Sequence, residues 1–263
     1  MNAKTEEFLN FLLWTADLLG RPTFRNLTDS YEAWAYRKGL FRQASALQKR
    51  KLLERDPKAP NDRVYRLSEE GRVRALGGRD PVAQWSRHWD GKWRLVVFDI
   101  PNAKGGHREK LRRYLRGKSF GCLQRSVWVT PEPLAEQRTV LAEKEINVKS
   151  LILLEAHPCA GESDMQIVAG AWDFNEINKG YAHHLHVLDQ RPKEPLKDIA
   201  TAKTLQRWAS EEFQAWLAAV SDDPLLPQRL LPEGYLGRAA FERRLEVFAA
   251  ANQQIKGFDL TNP

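Results

Sequence analysis

From Glu6 to Leu19 the apolar residues Phe8, Leu9, Leu12, Leu13, Ala16 and Leu19 recur at three- and four-residue intervals, which puts them on one face of an amphipathic helix. Gly20-Arg-Pro22 ends it. A second helix is expected to start from the capping residues Thr28, Asp29 and Ser30, to bury Tyr31, Trp34 and Ala35, and to stop at Gly39. Beyond that glycine, Phe41, Ala44, Leu47 and Leu52 point inward while Arg42, Gln43, Ser45, Lys49 and Arg50 stay outward. Three short helices with a glycine-containing turn before the third make a helix-turn-helix. Two extended pieces follow, Leu52 to Arg55 and Arg63 to Leu67, on either side of Asp56-Pro-Lys-Ala-Pro-Asn-Asp62. Proline and Asn-Asp make that stretch a loop, and a hairpin after a helix-turn-helix reads as a wing.

The middle of the chain has a different rhythm. Trp93 to Ile100 is a near-continuous apolar run, the pattern of a strand covered on both faces. His107 to Lys118 places Leu111 and Leu115 on one stripe among Arg108, Arg112, Arg113 and Arg116. Cys122 to Val129 is strand-like and long enough to bend into two, a helix is expected after Pro131 and Pro133, and Val148 to Ala156 closes the unit as a strand. That β-α-β-α-β order predicts a ferredoxin-like split βαβ domain. The last third reads as helices over Asp173 to Gln190, Thr201 to Val220 and Arg238 to Ala251, separated by Pro192, Pro195, Pro224, Pro227 and Pro232. The expected class is therefore α+β, in four consecutive segments. These are a winged helix-turn-helix at 1–79, a linker at 80–92, a ferredoxin-like dimerisation domain at 93–160 and a small helical domain at 161–263.

Charge sharpens this picture. The 263 residues carry 41 Lys+Arg against 34 Asp+Glu, a net +7. Tyr36 to Arg79 holds thirteen basic and five acidic residues, and Lys104 to Arg125 eight and one, so the remainder of the chain is acidic. Concentrated positive charge points to a polyanionic partner, against the blander reading of solvated helix faces. In the first segment the third helix would enter the major groove of double-stranded DNA. Arg42 and Gln43 are able to read base edges there, Ser45, Lys49 and Arg50 would contact base or backbone, and Lys58, Arg63 and Arg66 of the wing would lie along phosphates. No apolar run approaches a membrane span, and no signal peptide is expected. Cys122 and Cys159 form no disulfide framework or zinc spacing, so a cytoplasmic protein without metal or cofactor is expected.

Val-Val-Phe-Asp-Ile-Pro, the arginine-rich helix and Phe-Gly-Cys-Leu-Gln-Arg-Ser-Val-Trp-Val together closely resemble the central domain of the PaaX-type family of phenylacetic-acid catabolic repressors. That domain is in turn similar to the small ferredoxin-like protein of CRISPR adaptation. Tyr65-Arg-Leu-Ser-Glu-Glu-Gly71 resembles the family's wing ending, Trp172-Asp-Phe the opening of its C-terminal domain, and Asp223-Pro-Leu-Leu-Pro-Gln-Arg-Leu-Leu-Pro232 its closing motif. Between recognition helix and wing, where the family usually has glycine, Lys51 stands here. The resemblance implies a homodimeric repressor, joined through the central domain and released from its operator by an effector of the acyl-CoA kind.

Several residues invite chemistry of their own. In the CRISPR-type relatives the acid ending the first strand is a proposed metal ligand of a nuclease, and Asp99 holds that position. Metal-assisted phosphodiester cleavage needs several oxygen ligands, yet the following loop is Asn102-Ala-Lys-Gly-Gly-His and Glu109 is the next acid. Asp99 as a strand-end residue that hydrogen-bonds backbone or pairs with Arg108 or Arg112 is the simpler expectation. His183, His186 and Asp189 lie three apart and, with His184, raise a metal site, against a partly exposed helix face. Trp85, Trp89, Trp93 and Trp172, with Arg87 and Arg94, would either line an effector slot or hold the linker down. The basic helix would meet flanking DNA, acidic surface of a partner subunit, or effector phosphates. The reading is a DNA-binding regulator and not an enzyme; a metal-dependent nuclease and a nucleic-acid-binding adaptor of a defence system are the alternatives.

Overall fold

A computed structural model describes residues 46–55, 65–76, 78–99, 105–134, 151–196 and 199–256. Their elements run β1 (Leu53–Arg55), β2 (Tyr65–Leu67), α1 (Glu69–Ala75), α2 (Pro81–Ser86), β3 (Trp93–Phe98), α3 (Gly105–Gly117), β4 (Gly121–Gln124) and β5 (Val127–Thr130). After these come β6 (Leu151–Ala156), α4 (Asp164–Ala171), α5 (Phe174–Asp189), α6 (Ile199–Asp222), a 3₁₀ turn at Gln228–Leu230 and α7 (Gly237–Lys256). The combination of helices with antiparallel sheet is α+β. Packing groups the chain into two units. One unit takes in Met1–Asp80, Asn178–Ser221 and Leu236–Pro263; the other takes in Pro81–Ile177 and Asp222–Tyr235.

The second unit is built on a four-stranded antiparallel sheet in the order β4-β5-β3-β6. β3 reaches β4 through α3, and β5 lies between those two strands, which makes a split βαβ. Strand periodicity sorts the side chains. Val96 and Phe98 of β3 point to one face and pack with Leu111 and Leu115 of α3, Trp128 and Leu151. Trp93 points to the other face, where Val129, Val168 of α4, Leu226 and Leu230 close over it. Both faces of β3 are thus covered, which is why the strand reads as an unbroken apolar run.

In the first unit β1 and β2 form an antiparallel hairpin in the register Leu53↔Leu67, Glu54↔Arg66, Arg55↔Tyr65. Leu53 and Leu67 are therefore opposite one another, and both are buried. Their core is completed by residues far along the chain: Val187 and Leu188 of α5, Leu205 and Trp208 of α6, and Val247 and Phe248 of α7. The hairpin expected at 52–67 is present, with its strands trimmed to three residues each. The first two helices expected from sequence, the wing loop at 56–64 and the helix after Pro133 lie outside the described residues.

Each of α5, α6 and α7 contributes one buried ionisable group to this unit. His184 Nε2 stands 2.8 Å from Glu212 Oε1, and Arg244 Nε donates to the same oxygen at 2.6 Å. All three are fully shielded from solvent. The Arg244 guanidinium also lies 4.8 Å from the Trp216 ring centroid and 4.4 Å from that of Phe248. Burial alone would raise the Glu212 carboxyl, but the Arg244 charge and the hydrogen bonds from His184 and Arg244 outweigh it and hold the carboxyl below its ordinary value. Burial pushes His184 down, only partly offset by Glu212, so the imidazole is neutral and its Nε2–H donates to the carboxylate. The histidine run therefore lies on a partly exposed helix face. His183 and His186 are exposed, whereas His184 turns into the core.

Candidate nucleic-acid interface

The last turn of the expected recognition helix is described, at residues 46–49. It closes through two backbone bonds, Leu52 N–H to Leu47 C=O at 2.9 Å and Lys51 N–H to Gln48 C=O at 2.8 Å. This is the Schellman arrangement, whose penultimate residue takes a left-handed conformation. That residue is Lys51, with φ of 59°. The sequence departure at this position therefore keeps the glycine-type backbone and accepts the steric cost of a Cβ. With the turn closed in this way, Leu47 and Leu52 enter the core, and Lys49, Arg50 and Lys51 are exposed just before the β1–β2 hairpin.

Tyr65-Arg-Leu-Ser-Glu-Glu-Gly71 acquires a physical meaning at the far end of the hairpin. Leu67 fills the core, and Ser68 caps α1 by accepting from Gly71 N–H at 3.0 Å. The same hydroxyl donates to the Lys51 carbonyl, tying the turn at 46–52 to the end of the hairpin. Gly71 lies so close to the chain that a Cβ there would sit 2.0 Å from the Leu52 carbonyl oxygen. Glu69 and Glu70 occupy the first turn of α1, where carboxylates suit the helix dipole. Arg72 pairs with Glu69 at 2.6 Å and with Asp80 at 2.7 Å.

Of the residues singled out for DNA, Lys49 and Arg50 are exposed on this turn. Arg66 lies in β2, opposite Glu54 in register. Arg42, Gln43, Ser45, Lys58 and Arg63 lie outside the described residues. In the second unit α3 buries Leu111 and Leu115 and turns Lys110, Arg113 and Arg116 to solvent, with Lys118 and Arg125 exposed nearby. Arg116 stands 3.7 Å from Glu109 and over the Trp128 ring. Arg112 donates to the Arg125 carbonyl at 3.0 Å.

Asp99 is exposed just beyond the end of β3. Arg112 reaches toward the turn between β4 and β5. Among the described residues no three His, Cys, Asp or Glu side chains are grouped to hold a metal. His186 bonds Gln190 at 2.9 Å and Asp189 pairs with Arg243 at 3.3 Å.

Three of the four tryptophans gather: Trp89 and Trp93 have ring centroids 5.4 Å apart, and Trp93 and Trp172 6.2 Å. Their indole N–H groups are satisfied, by the Lys92 carbonyl, Asp164 and the Ser119 carbonyl respectively. The two arginines named with them are already engaged. Arg94 is buried against Asp90 and Glu155, and its guanidinium holds the Asp90 carboxyl down to about 2. Arg87 pairs with Glu132 at 2.6 Å and donates to the Gln84 and Leu225 carbonyls. They therefore serve the packing of this unit, because their charges are compensated. Pattern reading missed Arg229, which reaches over Trp89 from the closing motif with 5.9 Å between guanidinium and ring centroid. No local signal marks that contact.

The closing motif is itself a structural clasp. Asp223 is buried, accepts from Leu225 N–H at 2.7 Å and accepts from the Tyr235 hydroxyl. Leu225 takes a φ of 50°, and Leu226 and Leu230 enter the core beneath Trp89 and Trp93. α4, which the pattern reading also missed, carries a capping box between Ser163 and Gln166 that is visible in the sequence.

Residues 86–168 match the family model of the PaaX protein central Cas2-like domain. The resemblance is to PaaX-type repressors. The transcriptional repressor PaaX of Escherichia coli strain K12 is 25% identical over 196 residues, covering 72% of this chain and 58% of that protein. The chain thus spans less than two thirds of the length of the curated relative it matches. A solved structure, the uncharacterized protein Rv0674 from Mycobacterium tuberculosis, is similar with a TM-score of 0.48 and 19% identity, over 83% of this chain and 82% of that one. The PaaX-type match begins at the end of α2 and runs through β3–β6 into α4, so it coincides with the sheet of the second unit. Among the described residues no helix is long and apolar enough to cross a membrane.

Proposed function

We propose that this protein regulates transcription as a DNA-binding repressor, dimeric and released by a small-molecule effector. The observation that carries the reading is the continuity of an exposed basic helix end with a wing. Lys49 and Arg50 stand beside the Schellman turn at Lys51, and Ser68 ties that turn to the hairpin. Such a joint holds a recognition helix and a wing at a constant angle, which groove recognition needs. The similarity to a repressor supports the same function. In this reading Arg42 and Gln43 read base edges, Ser45, Lys49 and Arg50 contact base or phosphate, and Lys58, Arg63 and Arg66 follow the wing-side backbone. The exposed cations of α3 take flanking phosphates.

Dimerisation is assigned to the sheet of the second unit. β6 is an edge strand, and its Ile152 and Leu154 are 56% and 47% exposed. An apolar edge of this kind is normally covered. Ile152→Lys with Leu154→Glu is expected to shift the protein from dimer to monomer in sedimentation velocity; an unchanged mass would reject this surface.

The deciding experiment is fluorescence anisotropy with the DNA upstream of the protein's own coding region, against scrambled DNA, across a salt series. Specific binding is expected, with a log-log salt slope of about 0.9 per phosphate neutralised. Equal affinity for both DNAs would reject the reading. Arg42→Ala with Gln43→Ala is expected to abolish sequence preference and retain salt-dependent binding.

A further inference from the structure

Just before the β1–β2 hairpin, the chain holds a lysine in a backbone conformation that lysine disfavours. Lys51 has a φ of 59°, in the left-handed region where a Cβ crowds the following carbonyl and which glycine enters freely. Its backbone is held there from three sides. Lys51 N–H donates to the Gln48 C=O at 2.8 Å, the next N–H, of Leu52, donates to the Leu47 C=O at 2.9 Å, and the Lys51 C=O accepts from the Ser68 hydroxyl at 2.5 Å. Leu47 and Leu52, on either side of the turn, are buried with Leu53 and Leu67 of the hairpin. The turn is therefore fixed by the core beneath it, whichever residue stands at its left-handed position.

Strain of this kind persists where the surroundings impose it, and it gathers at functional positions. Folding gives the Lys51 side chain nothing in return. It is exposed, and among the described residues no carboxylate pairs with its ammonium, nor with Lys49 or Arg50 before it. Cations suit the C-terminal end of a helix, which accounts for Lys49 and Arg50. It does not call for lysine at the one position whose backbone suits glycine. What the side chain contributes therefore lies outside the folded chain, and a cation unpaired within the fold needs an anionic partner.

We propose that the Lys51 ammonium binds a backbone phosphate of DNA, independently of base sequence, and that the chain retains lysine in a glycine-type turn for that contact. The proposal rests on the DNA-binding reading above and deepens it by one phosphate contact, at a position where the residue best suited to the backbone has no side chain to offer. The placement fits the role. Lys51 ends the segment that carries Lys49 and Arg50, and the Ser68 hydroxyl ties its carbonyl to the end of the hairpin, so the side chain leaves the backbone from a fixed point. An ammonium on a flexible stem meets a phosphate as a point charge and needs no exact donor geometry.

The test is fluorescence anisotropy of the full-length protein with the upstream and the scrambled DNA across a salt series, comparing wild type with Lys51→Gln, Lys51→Gly and Lys51→Arg, each also followed by thermal melting. Lys51→Gln is expected to reduce the log-log salt slope by about 0.9 and to weaken both DNAs by the same factor, about eightfold more at 0.1 M salt than at 1 M. Lys51→Gly is expected to bind as weakly as Lys51→Gln and yet to melt above wild type, because the turn is relieved while the contact is lost. Lys51→Arg should restore the slope. A lysine with a merely structural role would move melting and binding in the same direction. Wild-type slopes in both Lys51→Gln and Lys51→Gly would overturn the proposal and leave the DNA-binding reading standing, as would a loss confined to the upstream DNA, which would make Lys51 a base reader. Salt-dependent wild-type binding that is equal for both DNAs, with the slope change intact, would overturn the repressor reading and support the phosphate contact. Absence of binding to either DNA would overturn both.

Discussion

At Gly71 the absence of a side chain is required by the Leu52 carbonyl oxygen, 2.0 Å from where a Cβ would be. Gly71→Ala forces Leu52 and α1 apart, and about 3 kcal/mol of destabilisation is expected in urea unfolding, toward the upper end of overpacking costs. At Lys51 the opposite change helps. Its φ of 59° is strained for any residue with a Cβ, so Lys51→Gly is expected to raise stability by up to about 1 kcal/mol; a lower melting temperature would contradict the left-handed turn. His184 and Glu212 introduce a pH dependence. Both have folded-state pKa values below their unfolded ones, so the stability they contribute is complete above the unfolded value and declines as pH falls toward the folded value. The His184 part begins to decline below about pH 6.5 and the Glu212 part below about pH 4.5. Urea midpoints at pH 8, 6 and 5 should fall in that order, and His184→Gln should flatten the decline between pH 6.5 and 5. Glu212→Gln leaves Arg244 charged and buried, a change expected to cost about 3–5 kcal/mol.

Among elements, the strands and long helices were legible because their periods are local properties. The unbroken apolar run of β3 and the Leu111–Leu115 stripe of α3 each follow from which faces are covered. The bend between β4 and β5 was also readable, from the length of the run. Short elements were not: α1, α2 and α4 have six to eight residues, too few turns to establish a periodicity, although Ser163 and Gln166 did mark the start of α4. α3 carries a prediction of its own. If its exposed cations follow DNA, Arg113→Ala with Lys118→Ala should reduce the salt slope by about 0.9 for each phosphate no longer neutralised, while sequence preference is retained. An unchanged slope would assign the helix another partner.

At the scale of the whole molecule, the β1–β2 hairpin and the C-terminal helices α5, α6 and α7 share one core. Leu47, Leu53 and Leu67 pack with Leu188, Trp208, Val247 and Phe248, and the Trp216 indole donates to the Leu76 carbonyl at 3.2 Å. A fragment of residues 1–79 is therefore expected to lack a cooperative unfolding transition and to bind DNA without specificity; a fragment that melts cooperatively and binds like the full chain would refute this dependence. The sequence by itself determined the class of fold, the hairpin, the strand order's raw material and the two basic segments, because periodicity, turn residues and charge are carried by neighbours along the chain. Its motif at 65–71 marked a joint without saying what is joined. Only tertiary structure decided that His184 faces Glu212 and Arg244, that Arg87 and Arg94 are spoken for while Arg229 lies over Trp89, and that the net +7 includes cations already neutralised in the core. Those outcomes depend on which distant side chains share a buried volume, where a charge is retained only with a partner.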